Sequence, residues 1–184
     1  MRREQFEHVL RAAAAIVQDE LVVIGSQVVL VEHPDAPAEL LMSMEVDLYP
    51  RRRPELAAAI DGALGDGSRF HQTFGYYAHG VGPETVIGAT GWEERLRRLE
   101  LRGHKGEKVI AWCLEMHDLV LAKLAAGREH DYTFVRAAIR AGLVDRDRLR
   151  LGVDLMPESH RDQTRERLDG TLAWVKRAES KAAE

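Results

Sequence analysis

The strongest constraint on the fold lies in residues 22–50, where two apolar runs flank a Gly-Ser pair and a loop with two prolines. The first run predicts a short strand over residues 21–24. Gly25 permits a sharp turn after it, and Ser26 is placed to cap a helix that begins at Gln27. A strand that turns into a helix presents backbone N–H groups that favour phosphate. An ordinary strand-to-helix turn with a serine cap is the alternative.

The second apolar run predicts a strand over residues 43–49 that carries two acids, Glu45 and Asp47. Residues two apart in a strand point to the same face, so the two negatively charged carboxylates lie close together and repel each other. A divalent cation removes that repulsion, and hard oxygen ligands suit Mg²⁺. With two ions, the pair would clamp an in-line displacement at phosphorus. A solvent-facing edge of an alternating strand is the alternative.

The rest of the chain predicts an α+β fold. An α/β core is expected over residues 1–112 and a helical C-terminal region over residues 113–184, packed on the core as one unit. Helices are predicted over residues 4–18, 55–64, 115–126, 130–141 and from about 157 to the tail; strands over 84–88, 96–101 and 109–113; residues 70–77 are ambiguous.

Composition excludes several classes of protein. The net charge of -4 excludes a global positive field for nucleic acid, so any such contact must rest on a local patch. The single cysteine, Cys113, excludes disulfides and cysteine-zinc sites and fits a reducing cytosol. No apolar run approaches the roughly 20 residues that span a bilayer. The charged N-terminal residues do not fit a signal peptide, and a cytoplasmic protein without membrane contact is expected.

A lysine in an apolar helix marks the C-terminal region. Lys123 lies among the leucines of residues 114–124, where an ammonium group is costly unless it is paired or reaches an anion. Asp131 falls in the first turn of the next predicted helix, where the helix dipole favours an acid. A lysine that extends to solvent and an aspartate that only satisfies the dipole are the alternatives.

Two short segments resemble a known superfamily. The segments "IGSQ" (24–27) and "MEVDLYP" (44–50) resemble the signature of nucleotidyltransferases of polymerase β-like fold. The resemblance implies a mixed-sheet core, an NTP substrate, phosphate contacts from Gly25 and Ser26, and Mg²⁺, in one or two sites, held by Glu45 and Asp47. It also implies a third carboxylate on a later strand, for which Glu84 is the candidate; a plain strand-end acid is the alternative.

The segment "DLVLAKLAAGREHD" (118–131) resembles AbiEii-type toxins of bacterial toxin–antitoxin and phage-defence systems. The resemblance implies that Lys123 contacts nucleotide phosphate, that Asp131 supports catalysis and that Arg128 is a further nucleotide contact, with Asp118 a secondary match. Residues 76–96 look like the middle of an uncharacterised nucleotidyltransferase-like family near those toxins.

The resemblances together cover about residues 20–152 and imply a reaction. A nucleoside monophosphate would pass from an NTP to an RNA acceptor, such as tRNA, or to a protein acceptor. An antitoxin protein would be a partner. The alternative is a catalytically weak or inactive nucleotide-binding or interaction module of the same fold, because the first acid is glutamate where aspartate is usual.

Two weaker signals leave alternatives open. Arg51, Arg52 and Arg53 follow the acidic strand and fit either a triphosphate or RNA contact or a solvated loop. The eight histidines are scattered, and neither His71 nor His79 has the helical spacing of a metal ligand. The sequence therefore predicts no zinc site.

Overall fold

The computed structural model describes residues 1–182 and shows an α+β protein, as predicted. The described chain forms two compact units. The first comprises Met1–Val86 and Arg95–Glu115, and the second comprises Ile87–Glu94 and the chain from Met116 onward.

The first unit is built on a five-stranded mixed sheet with the order β3-β2-β1-β5-β4. β1 pairs antiparallel with β2 and parallel with β5, β2 pairs parallel with β3, and β4 pairs antiparallel with β5. The central position of β1 fits its sequence, because all three of its apolar residues are buried. The strands are β1 Leu21–Val23, β2 Glu45–Pro50, β3 Tyr77–Gly80, β4 Arg97–Arg102 and β5 Lys108–Cys113.

Helices pack against this sheet. In the first of them, the residues that recur at helical spacing are buried, as the periodicity predicts: Phe6, Val9, Leu10, Ala13 and Val17. The four helices of the unit are α1 Arg3–Val17, α2 Val29–Glu32, α3 Ala57–Leu64 and α4 Arg69–Phe74.

The second unit is helical and consists of α5 Met116–Ala126, α6 Glu129–Arg140, α7 Arg146–Val153 and α8 Glu158–Ala182, together with residues 87–94. α5 contacts the other three helices. α7 is not predicted from the sequence, although Asp145 caps it by accepting hydrogen bonds from the N–H groups of Asp147 and Arg148. Within residues 1–182, no helix combines the length and apolar character needed to cross a membrane.

Two local predictions are wrong. Residues 84–88 do not form a strand; Pro83–Thr85 is a 3₁₀ turn, which suits a proline at its first position. Ser26 is not a helix cap. It begins a 3₁₀ turn, Ser26–Val28, whose N-cap residue is Gly25, and no side-chain capping bond is present. The regular helix that follows, α2, has only four residues, so its dipole is small.

Candidate metal centre

The pairing of β2 with β3 places four polar side chains at one edge of the sheet. The parallel register sets Glu45 beside Tyr77 and Asp47 beside His79. The residue between each pair, Val46 in β2 and Ala78 in β3, is fully buried. Because alternate residues of a strand point to opposite faces, burial of the apolar residues turns the acids, the phenol and the imidazole to the other face together.

Three of these side chains form a group with metal-ligand geometry. Glu45, Asp47 and His79 each offer one ligand atom, and the three atoms lie within 4.8 Å of one another. His79 Nδ1 is 3.1 Å from Asp47 Oδ1, and the two side chains are 51% and 26% exposed. A cation from solvent can therefore reach the group. Two carboxylates and an imidazole fit a divalent cation: the oxygens suit Mg²⁺, and the nitrogen also suits Mn²⁺ or Zn²⁺.

Tyr77 holds the Glu45 carboxylate in place. Its hydroxyl donates a hydrogen bond to Glu45 Oε2 at 2.9 Å. Burial, this hydrogen bond and the nearby negative charges raise the pKa of Tyr77 to about 12. The phenol therefore stays protonated at neutral pH and remains a donor to the carboxylate, which is how outer residues of metal sites orient the ligands.

Gly25 is required by the space beside Asp47 and not by backbone conformation. Its φ of -86° and ψ of 179° are extended values that any residue adopts. A Cβ atom at this position would lie 3.1 Å from both Cβ and Cγ of Asp47 and would overlap Oδ2. The backbone N–H of Ile24 also donates to the Asp47 carbonyl at 3.0 Å. The Gly25-Ser26 turn and the acidic strand are thus in direct contact.

Gln27, which the sequence does not single out, links the same turn to Ser43, two residues before the acidic strand. The side chain is fully buried, and Nε2 donates to the carbonyl of Ser43 at 2.9 Å. The Ser43 hydroxyl in turn accepts from the N–H of Glu45 at 3.2 Å. Gln27 therefore fixes the start of β2 relative to the turn.

Lys123 and Asp131 form an ion pair in the helical unit. Lys123 Nζ lies 2.6 Å from Asp131 Oδ1, and the side chains are only 13% and 5% exposed. The ammonium group also lies 5.0 Å from the ring centroid of Phe134. Asp131 thus supplies a partner of the kind that a lysine in this apolar helix requires. Arg128, the N-cap residue of α6, is exposed.

Glu84 does not join the group in the described part of the chain. It is exposed in the turn Pro83–Thr85, and the ligand group there consists of Glu45, Asp47 and His79. In the described residues the third member of the group is thus a histidine of β3, whereas the sequence suggested a carboxylate.

The arginine run is bound to acids at the other end of β2. Asp19 Oδ1 accepts from Arg52 Nε at 2.8 Å, and Oδ2 accepts from the N–H groups of Arg52 and Arg53 at 3.0 and 3.1 Å. Arg51 lies 3.0 Å from Glu20 and 4.1 Å from the centroid of the Trp112 ring. These contacts hold the run to the structure, while its three side chains stay 42 to 72% exposed, so a triphosphate or RNA contact and a solvated loop both stay open.

Sequence reasoning misses Tyr77 and His79. The usable signal is the alternation in "YYAHG", where a small apolar residue, Ala78, separates two polar ones. That alternation predicts a half-buried strand with both polar side chains on one face. Helical spacing does not detect a histidine that lies beside acids on a neighbouring strand.

Comparison with known families adds one finding. The family model described as "Nucleotidyltransferase of unknown function (DUF6036)" matches residues 4–180 of this chain. No curated protein and no solved structure matches it.

Proposed function

Because the chain belongs to this family of nucleotidyltransferases of unknown function, we propose that it is a Mg²⁺-dependent enzyme that transfers a nucleoside monophosphate from an NTP to an RNA or protein acceptor. The observation that carries the proposal is the contact between the Gly25-Ser26 turn and Asp47, in the same group as Glu45 and His79. A phosphate-binding turn and a cation site are the two parts that such a transfer needs.

The fold proposed for the first unit is the polymerase β-like one. Two features support it: β1 leads directly into the Gly25-Ser26 turn, and β2, which carries the acids, is the antiparallel neighbour of β1. The sequence resemblance at residues 24–27 and 44–50 falls on these same two strands.

Each residue of the group has a proposed role. Glu45 and Asp47 are the metal ligands, with His79 as a third, and Tyr77 orients Glu45. One or two bound cations would offset the negative charge of the phosphates during in-line displacement. The N–H groups of the Gly25-Ser26 turn and the Ser26 hydroxyl bind the β- and γ-phosphates.

In the proposed reaction, one bond forms and one bond breaks at the α-phosphorus of the NTP. A bond forms between an acceptor hydroxyl oxygen and the α-phosphorus of the NTP, and the bond from that phosphorus to the oxygen bridging to the β-phosphate breaks. Pyrophosphate leaves with the bridging oxygen, and the hydroxyl proton is released to water. The largest share of such catalysis comes from positioning and from stabilisation of charge.

Roles for three residues of the helical unit come from the sequence resemblance and stay predictions. Lys123 is proposed to neutralise phosphate charge, Arg128 to contact the nucleotide and Asp131 to support catalysis. The 2.6 Å ion pair between Lys123 and Asp131 supports a joint role, since the aspartate holds the ammonium group in one position. Each of the single variants Lys123→Met and Asp131→Asn is then expected to reduce nucleotide transfer. Lys176→Met, at an exposed position, is expected to leave transfer unchanged.

The main test is transfer from an α-³²P-labelled NTP in the presence of Mg²⁺, with total RNA and protein extract offered as acceptors. Asp47→Ala is expected to abolish labelling, because it removes a carboxylate from the cation group. Glu55→Gln, which changes an exposed carboxylate of the same unit, serves as the control. Undiminished labelling by Asp47→Ala would remove the proposed function.

A matched pair of variants tests the third ligand. His79→Asn is expected to weaken Mn²⁺ or Mg²⁺ binding, measured by calorimetry, because it removes the imidazole 3.1 Å from Asp47. Glu84→Gln is expected to leave binding unchanged, since Glu84 lies outside the group. The reverse result would assign the third position to Glu84.

A binding module without catalysis is the second candidate, and the histidine in place of a third carboxylate favours it. Calorimetry with NTP and Mg²⁺ separates the two candidates. Binding without labelling of any acceptor supports the module, and labelling supports the enzyme.

A role as the toxin of a toxin–antitoxin pair also remains a proposal. It is supported by two exposed leucines of the helical unit, Leu151 at 69% and Leu155 at 47% exposure, which suit an apolar contact with a partner protein. The test is whether the product of a neighbouring gene co-purifies with the wild type and not with a Leu151→Asp variant.

A further inference from the structure

The helical unit contains a second candidate site, a pocket of about 450 Å³ between α6 and α8. Its volume is within the range of small-molecule sites. Two aromatic side chains, Tyr132 and Trp174, and three arginines, Arg136, Arg167 and Arg177, line it. None of these residues belongs to the candidate metal site formed by Glu45, Asp47 and His79.

Arg136 lies close to both aromatic rings. Its guanidinium carbon is 4.5 Å from the centroid of the Trp174 ring and 5.8 Å from that of Tyr132. Its Nε atom is buried, and no residue of the described chain accepts a hydrogen bond from it. A buried donor without an acceptor is unusual in a folded protein, and the same guanidinium group lines the pocket, where its positive charge favours an anionic ligand.

Arg167 is held rigidly at the pocket. Its Nη1 atom donates to the carbonyls of Leu124 and Ala125 at the end of α5, at 2.8 and 2.7 Å. Gly127 makes room for the guanidinium, since a Cβ atom there would overlap it. The group is therefore positioned before any ligand arrives, which lowers the entropy lost on binding.

The charge of the pocket is positive although the chain is acidic. Three arginines and one acid, Glu166, line it, so the lining residues carry a net charge of +2. Arg177 is exposed and has no ion pair within residues 1–182. This is a local basic patch of the kind that a chain with net charge -4 needs in order to bind an anion.

Gly170 leaves one wall of the pocket open. It lies inside the long helix α8, where glycine lowers helix stability relative to alanine. A Cβ atom at this position would meet nothing within 4 Å, so packing does not require a glycine there. The absence of a side chain at Gly170 does enlarge the pocket, and a ligand-binding role of the pocket would explain a glycine at this position.

We propose that this pocket binds a nucleotide, with its base against Trp174 or Tyr132 and its phosphate at Arg136 and Arg177. Stacking on aromatic rings and contact with guanidinium groups are the two interactions by which proteins hold unpaired nucleotides. The nucleotide is either free or one unit of a single strand. In the second case the pocket holds the RNA acceptor, an identification that rests on the proposed function.

The test measures binding of a fluorescein-labelled 12-nucleotide single-stranded RNA to the full chain by anisotropy, at low salt, with EDTA and without NTP. Gly170→Leu fills the pocket without the helix cost of glycine and is expected to weaken binding about tenfold. Arg177→Gln is expected to do so as well. Arg165→Gln, which removes the same charge from α8 outside the pocket, is expected to change binding less than twofold. Melting curves confirm that each variant folds.

Competition with AMP and calorimetry with AMP separate the two sources of the nucleotide. Binding of AMP to the wild type but not to Gly170→Leu assigns the pocket to a free nucleotide, and binding of RNA alone assigns it to a strand. Equal affinity of Gly170→Leu and wild type for both RNA and AMP, or no binding of either probe, overturns the proposal. Asp47→Ala is expected to bind RNA normally, so failure of the pocket and failure of the proposed transfer are separate results.

Discussion

The two ends of the β1–β2 strand pair hold aspartates in opposite electrostatic settings. At one end, Asp19 lies just before β1 with a side chain that is fully buried. At the other end, Asp47 in β2 is 26% exposed and lies beside Glu45 and His79. The same type of side chain is therefore a structural hydrogen-bond acceptor at Asp19 and a candidate metal ligand at Asp47.

Asp19 is surrounded by hydrogen-bond donors, whereas Asp47 has a second carboxylate, Glu45, beside it. Asp19 accepts four hydrogen bonds, from the Arg52 side chain and from the N–H groups of Glu20, Arg52 and Arg53, at 2.8 to 3.1 Å. Burial alone would raise the pKa of Asp19, but these donors outweigh it and hold the pKa below its usual value. An acid surrounded by donors needs no cation, whereas two neighbouring acids gain from one.

The largest expected effect is on stability at the Asp19 end. Asp19→Asn is expected to lower the free energy of unfolding by about 3 kcal/mol, because it leaves the arginine and backbone donors without their buried anion. Asp47→Asn is expected to change it by less than about 1 kcal/mol, since it also removes repulsion from Glu45. Urea unfolding of both variants measures the contrast. Equal losses of unfolding free energy in the two variants would contradict the proposed difference between the two aspartates.

A pH titration sharpens the same contrast. The folded-state pKa of Asp19 is depressed, so its contribution is fully present above the unfolded pKa of about 4. It is lost as the pH falls through the lower, folded-state value. The stability difference between wild type and Asp19→Asn is therefore expected to shrink below pH 4 and to stay constant between pH 5 and 7, as measured by thermal melts. A constant difference down to acid pH would contradict the assignment.

The next effect comes from the space at the candidate metal end. Gly25→Ala is expected to cost about 2 kcal/mol of stability, because the new methyl group would overlap the Asp47 carboxylate. Gly62→Ala in α3 is the control: a Cβ atom there meets nothing, and the change is expected to add about 0.5 to 1 kcal/mol. Calorimetric melting compares the two. If both alanines stabilise, Asp47 is not held against the turn.

The smallest effect comes from the hydroxyl that orients Glu45. Tyr77→Phe is expected to weaken divalent-cation binding about tenfold, as loss of an outer hydrogen bond does at metal sites. Tyr76→Phe is the matched control. Its hydroxyl contacts His8 Nδ1 at 2.8 Å, so this variant is expected to lose stability and keep cation affinity. Equal affinities of the two variants would remove the role of Tyr77.

The fold class and much of the candidate site were predictable because they depend on local patterns. Glu45 and Asp47 share a face in any strand, and the apolar periodicity of α1 specifies its buried side. His79 cannot be found from spacing alone, because it reaches Asp47 through strand pairing between residues that are 32 positions apart in the chain. The reason for Gly25 was also out of reach, since its neighbour Asp47 belongs to another strand. The short turn at Pro83–Thr85 resembles a strand in the sequence because its neighbours are apolar.

The position of β3 at the end of the sheet order has a consequence for dynamics. An outer strand has a hydrogen-bonded neighbour on one side only, so it opens more readily than a central one. His79 is on that strand, while both acids are on the inner strand beside it. A cation bound by side chains of both strands would link β3 to β2 at the edge of the sheet. The amide hydrogens of residues 77–80 are then expected to exchange with deuterium more slowly when the cation is bound.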